Sequence, residues 1–243
     1  MNMIKNLLLT LNMKGAIQEY HSQNENPESY NLTFDERLCL MLESEILYKD
    51  NRRIHNAMKK AKFKKPIATL SSVDLHTKRG LEPIRFKELS KCEFIKQKQN
   101  IVITGPTGMG KSFLSEALGK EAIYRGYTVR YFWISELIEE VHIQRDLDKY
   151  SKYLDNLKKI DLLIIDDFGA RPLSIDDESI LFEVIGVRED IASIIFASQV
   201  PVENWVSCMK NKTLADAIVD RLTHGSIKIE LYGDSMRKNK LKK

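Results

Sequence analysis

Asn100-Ile101-Val102-Ile103-Thr104-Gly105-Pro106-Thr107-Gly108-Met109-Gly110-Lys111-Ser112 runs from a short apolar stretch straight into the pattern G-x-x-x-x-G-K-[ST]. Glycine takes backbone angles that side chains disfavour. A loop so built curls with its N–H groups turned inward and cradles phosphate oxygens. The lysine of such a loop reaches the terminal phosphates, and the serine hydroxyl ligates Mg²⁺. The pattern requires a strand before it and a helix after it. Residues 100–104 read as that strand and residues 113–125 as that helix, whose first turn adds its positive dipole end. The candidate nucleotide contacts are Gly105, Pro106, Thr107, Gly108, Met109, Gly110, Lys111, Ser112 and Phe113.

Sixty residues further on stands the expected partner, Leu162-Leu163-Ile164-Ile165-Asp166-Asp167. Four apolar residues make a buried strand, and the carboxylates emerge at its carboxyl end, where open α/β sheets bind ligands. Asp166 is the candidate Mg²⁺ ligand together with Ser112. Asp167 is the candidate base that orients and polarises an attacking water.

Around these two motifs, apolar runs at 101–104, 129–133, 162–166, 194–198 and 227–231 alternate with longer amphipathic segments. That alternation reads as a parallel five-stranded sheet flanked by helices, an α/β P-loop NTPase. The first, third and fourth runs are apolar throughout, as strands covered on both faces are. Ile227-Lys228-Ile229-Glu230-Leu231 alternates instead and belongs at an edge. Before residue 90 the texture is helical. Thr33 and Glu36 form a capping box, and behind it Phe34, Leu38, Met41, Leu42 and Ile46 repeat at helical spacing. The basic stretch that follows is expected to stay helical until Pro66. Lys78-Arg79-Gly80 reads as a connecting loop. The expected organisation is a small, basic, all-helical N-terminal domain over residues 1–90 and the nucleotide-binding domain over 91–243.

Charge supports that division. The net charge is +4, and residues 1–90 hold 15 Lys and Arg against 11 Asp and Glu, so the excess sits in the first third. The chain is 43% hydrophobic, enough for a real core. Three scattered cysteines, Cys39, Cys92 and Cys208, exclude a disulfide framework or zinc site and suit a reducing cytoplasm. The 7–11 run is too short for a membrane span.

Asp166-Asp167-Phe168-Gly169 also satisfies the D-x-x-G of GTPases, but Asn211-Lys212 is followed by Thr213-Leu214 and not by the acid that reads guanine. The nucleotide is therefore ATP. Two late arginines, Arg221 and Arg237, suit an ATPase that assembles, because an arginine from a neighbour can stabilise a transferring phosphoryl group. By composition alone either reads as a surface residue.

The chain resembles the IstB family, AAA+ ATP-binding helpers of insertion-sequence transposition akin to DnaC and DnaA. The resemblance is carried by Leu32-Thr33-Phe34-Asp35-Glu36-Arg37, Arg79-Gly80-Leu81, the loop above and Asp161 to Asp167. Most specific are Thr213-Leu214-Ala215-Asp216-Ala217-Ile218-Val219-Asp220-Arg221-Leu222 and Ile229-Glu230-Leu231-Tyr232-Gly233-Asp234-Ser235-Met236-Arg237-Lys238. It implies that Arg221 is an arginine finger acting on a neighbouring subunit's ATP, that Arg237 is the sensor 2 arginine, and that Gln199 is sensor 1, with Ser198 as fallback. It further implies a homo-oligomer with nucleotide at subunit boundaries, a transposase of the same element and duplex DNA as partners, and a bacterial cytoplasm with nucleoid association. Two departures stand out: the second acid is Asp167 where glutamate is commoner, and sensor 1 is Gln199 where asparagine is commoner.

The basic stretch gives DNA a separate reason. Arg52, Arg53, Lys59, Lys60, Lys62, Lys64 and Lys65 offer phosphate contacts and no evident base-reading group, which points to sequence-independent binding. The alternative reading of those charges is a solvated helix face. The alternative function is a replicative helicase loader, whose main partner would be a helicase; an ATP-binding regulator without hydrolysis is a third.

Overall fold

The computed structural model describes residues 3–236. It opens with α1 (Met3–Thr10), α2 (Lys14–Glu25) and α3 (Phe34–Ala61), followed by the short helices α4 (Pro83–Leu89) and α5 (Glu93–Lys96). Then come β1 (Ile101–Thr104), α6 (Lys111–Tyr124), β2 (Val129–Trp133), α7 (Ile134–Asp146), α8 (Tyr150–Lys158) and β3 (Leu162–Phe168). The chain continues through α9 (Ile175–Gly186), β4 (Ser193–Ser198), α10 (Trp205–Cys208), α11 (Lys212–Thr223) and β5 (Ile227–Glu230). Contacts divide it into two compact units, Met1–Ala57 and Met58–Lys243. The division falls inside α3, whereas the sequence reading set it near residue 90, and Lys64 and Lys65 are bound to α6 by the hydrogen bonds described below.

In the first unit the expected capping box forms: the Thr33 N–H donates to Glu36 Oε2 at 2.8 Å, and the Glu36 N–H donates to Thr33 Oγ1 at 3.3 Å. Glu45, only 3% exposed, accepts the Gly15 and Ala16 N–H groups at 2.7 and 3.2 Å and so caps α2 with a carboxylate. The expected apolar face of α3 is present in spacing, yet Phe34, Leu38, Leu42 and Ile46 are exposed.

The second unit is a five-stranded parallel sheet in the order β2-β3-β4-β1-β5. The three strands that are apolar throughout, β1, β3 and β4, fill its middle, and β5, which alternates, lies at an edge. Phe168, Phe196 and Trp205 pack their rings with centroids 5.1 to 5.4 Å apart in the core. This sheet order sets β1 beside β4, so the loops that leave their carboxyl ends meet.

Candidate nucleotide site

The loop after β1 has the curl its glycines permit: φ is +143° at Gly105, +88° at Gly108 and +94° at Gly110. The chain after β5 crosses it closely. A Cβ on Gly105 would stand 2.2 Å from the Leu231 carbonyl, so no side chain is tolerated there. Lys111 opens α6 and is 6% exposed; its Nζ donates to the Gly105 and Pro106 carbonyls at 2.6 and 3.0 Å. Ser112 and Phe113 follow, partly exposed, in the first helical turn.

β3 carries the two acids, and a bulge separates their roles. Ile165 pairs with Phe196 and Phe168 with Ser198, so Asp166 and Asp167 together face one residue, Ala197. A bulge of this kind re-aims side chains. Asp167 adopts φ +70°, a left-handed conformation that is strained for a side-chain-bearing residue and is commonest at functional sites. Asp166 is 1% exposed, and its Oδ1 accepts the Asp167 N–H at 2.7 Å. Its Oδ2 accepts the Tyr131 hydroxyl at 2.7 Å. Tyr131 pairs in register with Ile164, so Asp166 is its diagonal neighbour on the same face of the sheet. Burial first, and then the Asp166 charge, push the Tyr131 phenol well above its ordinary range, so it stays a donor.

β4 supplies the third part. The Gln199 N–H donates to the Phe168 carbonyl at 3.0 Å, which extends the ladder past the bulge and sets Gln199 beside Asp167. Gln199 Nε2 donates to Asp167 Oδ1 at 2.6 Å, and Thr107 Oγ1 donates to Gln199 Oε1 at 2.8 Å. A single hydrogen-bonded chain thus links the loop, Gln199 and the second acid. Ser198 is buried and does not join it; its hydroxyl donates to the Val200 carbonyl at 2.8 Å. This arrangement fits a Mg²⁺–triphosphate. The Lys111 ammonium and the first turn of α6 lie at the glycine loop, and the buried Asp166 carboxylate is held in orientation by the Asp167 N–H and the Tyr131 hydroxyl. Among the described residues no three acidic, histidine or cysteine side chains cluster as a metal cage. Mg²⁺ is ordinarily held by one or two carboxylates plus the substrate's phosphates.

A family model described as IstB-like ATP binding protein matches residues 5–243. The chain belongs to that family. It is 34% identical over 236 residues to an insertion sequence ATP-binding protein, y4pL, of Sinorhizobium fredii, covering 97% of this chain and 96% of that one. It is 28% identical to the insertion sequence IS21 ATP-binding protein of Pseudomonas aeruginosa, covering 98% and 89%. Among solved structures, DnaI superposes with a TM-score of 0.58 at 23% identity, covering 68% of this chain and 92% of that one. DnaA from Aquifex aeolicus bound to AMPPCP also gives 0.58, at 24% identity, covering 74% and 56%. These likenesses show the AAA+ P-loop fold.

The IstB family pattern singles out two arginines, Arg221 and Arg237. Arg237 is outside the described residues; its neighbour Met236 donates its N–H to the Gly108 carbonyl at 3.0 Å. Arg221 sits in the last turn of α11, and its carbonyl accepts Asn100 Nδ2 at 3.2 Å. Asn100 precedes β1 and Gly105 follows it, so about 16 Å of strand lies between Arg221 and the loop of its own chain.

The basic residues form no single helical face. α3 stops at Ala61 with Lys62 at φ +59°, four residues before the proline expected to stop it. The stop comes early because α6 captures the chain. Glu116 accepts the Lys64 and Lys65 N–H groups at 3.1 and 2.7 Å, and Lys120 Nζ donates to the Lys65 carbonyl at 2.5 Å. Lys62 pairs with Glu140 at 3.8 Å. Lys64 pairs with Glu136 at 2.6 Å and lies 4.7 Å above the Trp133 ring. Arg52, Arg53, Lys59 and Lys60 are exposed on α3, with Arg53 3.5 Å from Asp50.

Sequence reasoning missed three residues. Tyr131 is one. Arg79, read as part of a connecting loop, is 3% exposed and donates from Nη1 to the Met109 carbonyl at 2.5 Å, bracing the nucleotide loop. Trp205 donates from Nε1 to the Val200 carbonyl at 2.8 Å and to Ser198 Oγ at 3.1 Å, clamping the chain on both sides of Gln199. The only signals were Arg79 before Gly80 and the alternation of Val129 with Tyr131, and neither names a partner.

Proposed function

We propose that this chain is an ATP-hydrolysing, Mg²⁺-dependent AAA+ switch that assembles with copies of itself on duplex DNA and recruits the transposase of an insertion sequence. The observation that carries the hydrolytic reading is the chain Thr107–Gln199–Asp167, which ties the nucleotide loop to a carboxylate whose Oδ2 is left for water. The loop N–H groups and Lys111 bind the β- and γ-phosphates. Ser112 and Asp166 hold Mg²⁺, which when bound neutralises charge on the transferring phosphoryl group. Asp167 accepts the proton of the attacking water, and Gln199 holds Asp167 in place and senses the γ-phosphate. Arg221 completes a neighbour's site, a reading its distance from its own loop supports. Arg237 contacts nucleotide in its own subunit.

DNA binding rests on the exposed Arg52, Arg53, Lys59 and Lys60, with Lys62, Lys64 and Lys65 as the segment joined to α6. The names of relatives matched along nearly their whole length support an insertion-sequence role over helicase loading; a role on DNA carries with it the cytoplasm and nucleoid DNA as the place of action. The likeness to DnaI supports the fold alone. The test is a pair of variants. Lys111→Ala is expected to abolish ATP binding, since the phosphates lose their fixed cation. Asp167→Asn is expected to bind ATP and lose hydrolysis, since an amide cannot take the proton. Equal loss of binding in both variants would refute this division of roles.

A further inference from the structure

Arg221 does not project freely from α11. Its Nε forms an ion pair with Glu189 Oε2 at 2.9 Å, and its guanidinium carbon lies 4.3 Å from the centroid of the Phe182 ring. Its Nη1 passes over Gly186, where a Cβ would stand only 3.1 Å away. Phe182 and Gly186 are one turn apart near the end of α9, and Glu189 lies in the turn that follows. The three therefore stand in line beneath one guanidinium. With Nε bound to Glu189, neither terminal nitrogen has a hydrogen-bond partner among the described residues, and the side chain is 28% exposed. A guanidinium carries five donors in a rigid planar fork. Paired to Glu189 along one edge and stacked on the Phe182 ring, the guanidinium lies across Gly186 with its terminal nitrogens unclaimed by any group of α9.

We propose that Phe182, Gly186 and Glu189 are positioning residues that form a seat for the Arg221 finger and present its terminal nitrogens to the γ-phosphate of a neighbouring copy. This rests on the reading of Arg221 as a group acting across the subunit boundary. The ring stacks on the guanidinium, the carboxylate sets its rotation, and the glycine gives it room. Reaction centres are sensitive to such placement, since misplacement by about 1 Å costs on the order of a hundredfold in rate. An exposed ion pair contributes little to folding stability, so the seat and the fold are separable by experiment.

The experiment measures DNA-stimulated ATP hydrolysis, KM for ATP and the thermal midpoint in single and mixed assemblies of the full chain. Arg221→Ala is expected to be inactive alone and to regain activity when mixed with Asp167→Asn subunits, whose intact fingers complete its pockets. Glu189→Ala is expected to lose about ten- to a hundredfold in kcat with KM and thermal midpoint unchanged. The same Asp167→Asn partner rescues it. Glu189→Gln keeps an oxygen for the Nε–H and retains most of the activity. Gly186→Ala pushes the guanidinium outward and lowers kcat, while the helix, freed of a glycine, gains in thermal midpoint. Wild-type kcat in both Glu189→Ala and Gly186→Ala, with Arg221→Ala still rescued in trans, would overturn the seat and leave the finger standing. A loss in Glu189→Ala that Asp167→Asn subunits do not rescue also overturns it. Failure to rescue Arg221→Ala, with co-assembly verified, removes the finger reading and the seat with it.

Discussion

Tyr131→Phe removes one oxygen and little else, so its effect isolates the hydroxyl that holds Asp166. The donor and the acceptor are each 1% exposed, and the bond is 2.7 Å long. A hydrogen bond to a charged group contributes about 1.5–3 kcal/mol, and its loss leaves Asp166 Oδ2 buried without that partner. For a domain of this size each kcal/mol shifts the thermal midpoint by about 2–4 °C, so the variant is expected to melt roughly 3–12 °C lower in metal-free buffer. The functional consequence is separate. Asp166 is the proposed Mg²⁺ ligand, and loss of a group that orients a ligand weakens metal affinity about 10–100-fold. Binding of a fluorescent ATP analogue, titrated with Mg²⁺, is expected to need correspondingly more metal, while its metal-free affinity stays the same.

The pH dependence has a definite sign. Because the Tyr131 phenol is raised in the folded chain above its unfolded value of about 10, its contribution is whole below pH 10 and is lost as pH rises further. The difference in melting between wild type and variant is therefore constant from pH 7 to 9 and narrows above 10. A variant that melts within about 1 °C of wild type and titrates with Mg²⁺ identically would refute the claim that Tyr131 positions Asp166.

Two further outcomes follow from the geometry. Replacing Arg52, Arg53, Lys59 and Lys60 by alanine is expected to weaken binding to all duplex sequences alike and to flatten the slope of log affinity against log salt by up to about 3–4. Lys62→Ala and Lys64→Ala are expected to change that slope less, because Glu140 and Glu136 already match their charges; a salt titration in which they dominate would contradict this placement. Trp205→Phe keeps the ring cluster and loses the Nε1 bonds that flank Gln199, so hydrolysis should fall several-fold at unchanged ATP affinity. Unaltered hydrolysis would mean that Gln199 is held without Trp205.

What the sequence determined by itself lies within short spans of chain. The glycines of the loop, the lysine and the serine declare their curl and chemistry in eight residues, and the positive φ angles at Gly105, Gly108 and Gly110 express a preference written in the residues themselves. Runs of four to six apolar residues sufficed to mark β1, β3 and β4 as the covered middle of the sheet, and the Ile227–Glu230 alternation marked its edge, because burial on one face or two leaves its own period. The capping box at Thr33 and Glu36 is local in the same way. Tertiary structure alone decided which distant groups meet. Gln199 reaches Asp167 only because β3 and β4 are neighbours and a bulge turns the second acid toward it; Tyr131 reaches Asp166 only through the register of β2 on β3. Lys62 and Lys64 looked like a free basic face in sequence, yet carboxylates about 70 residues away neutralise them. No local pattern encodes such pairings, since hydrogen bonds and ion pairs act over a few ångströms in space and are indifferent to separation along the chain.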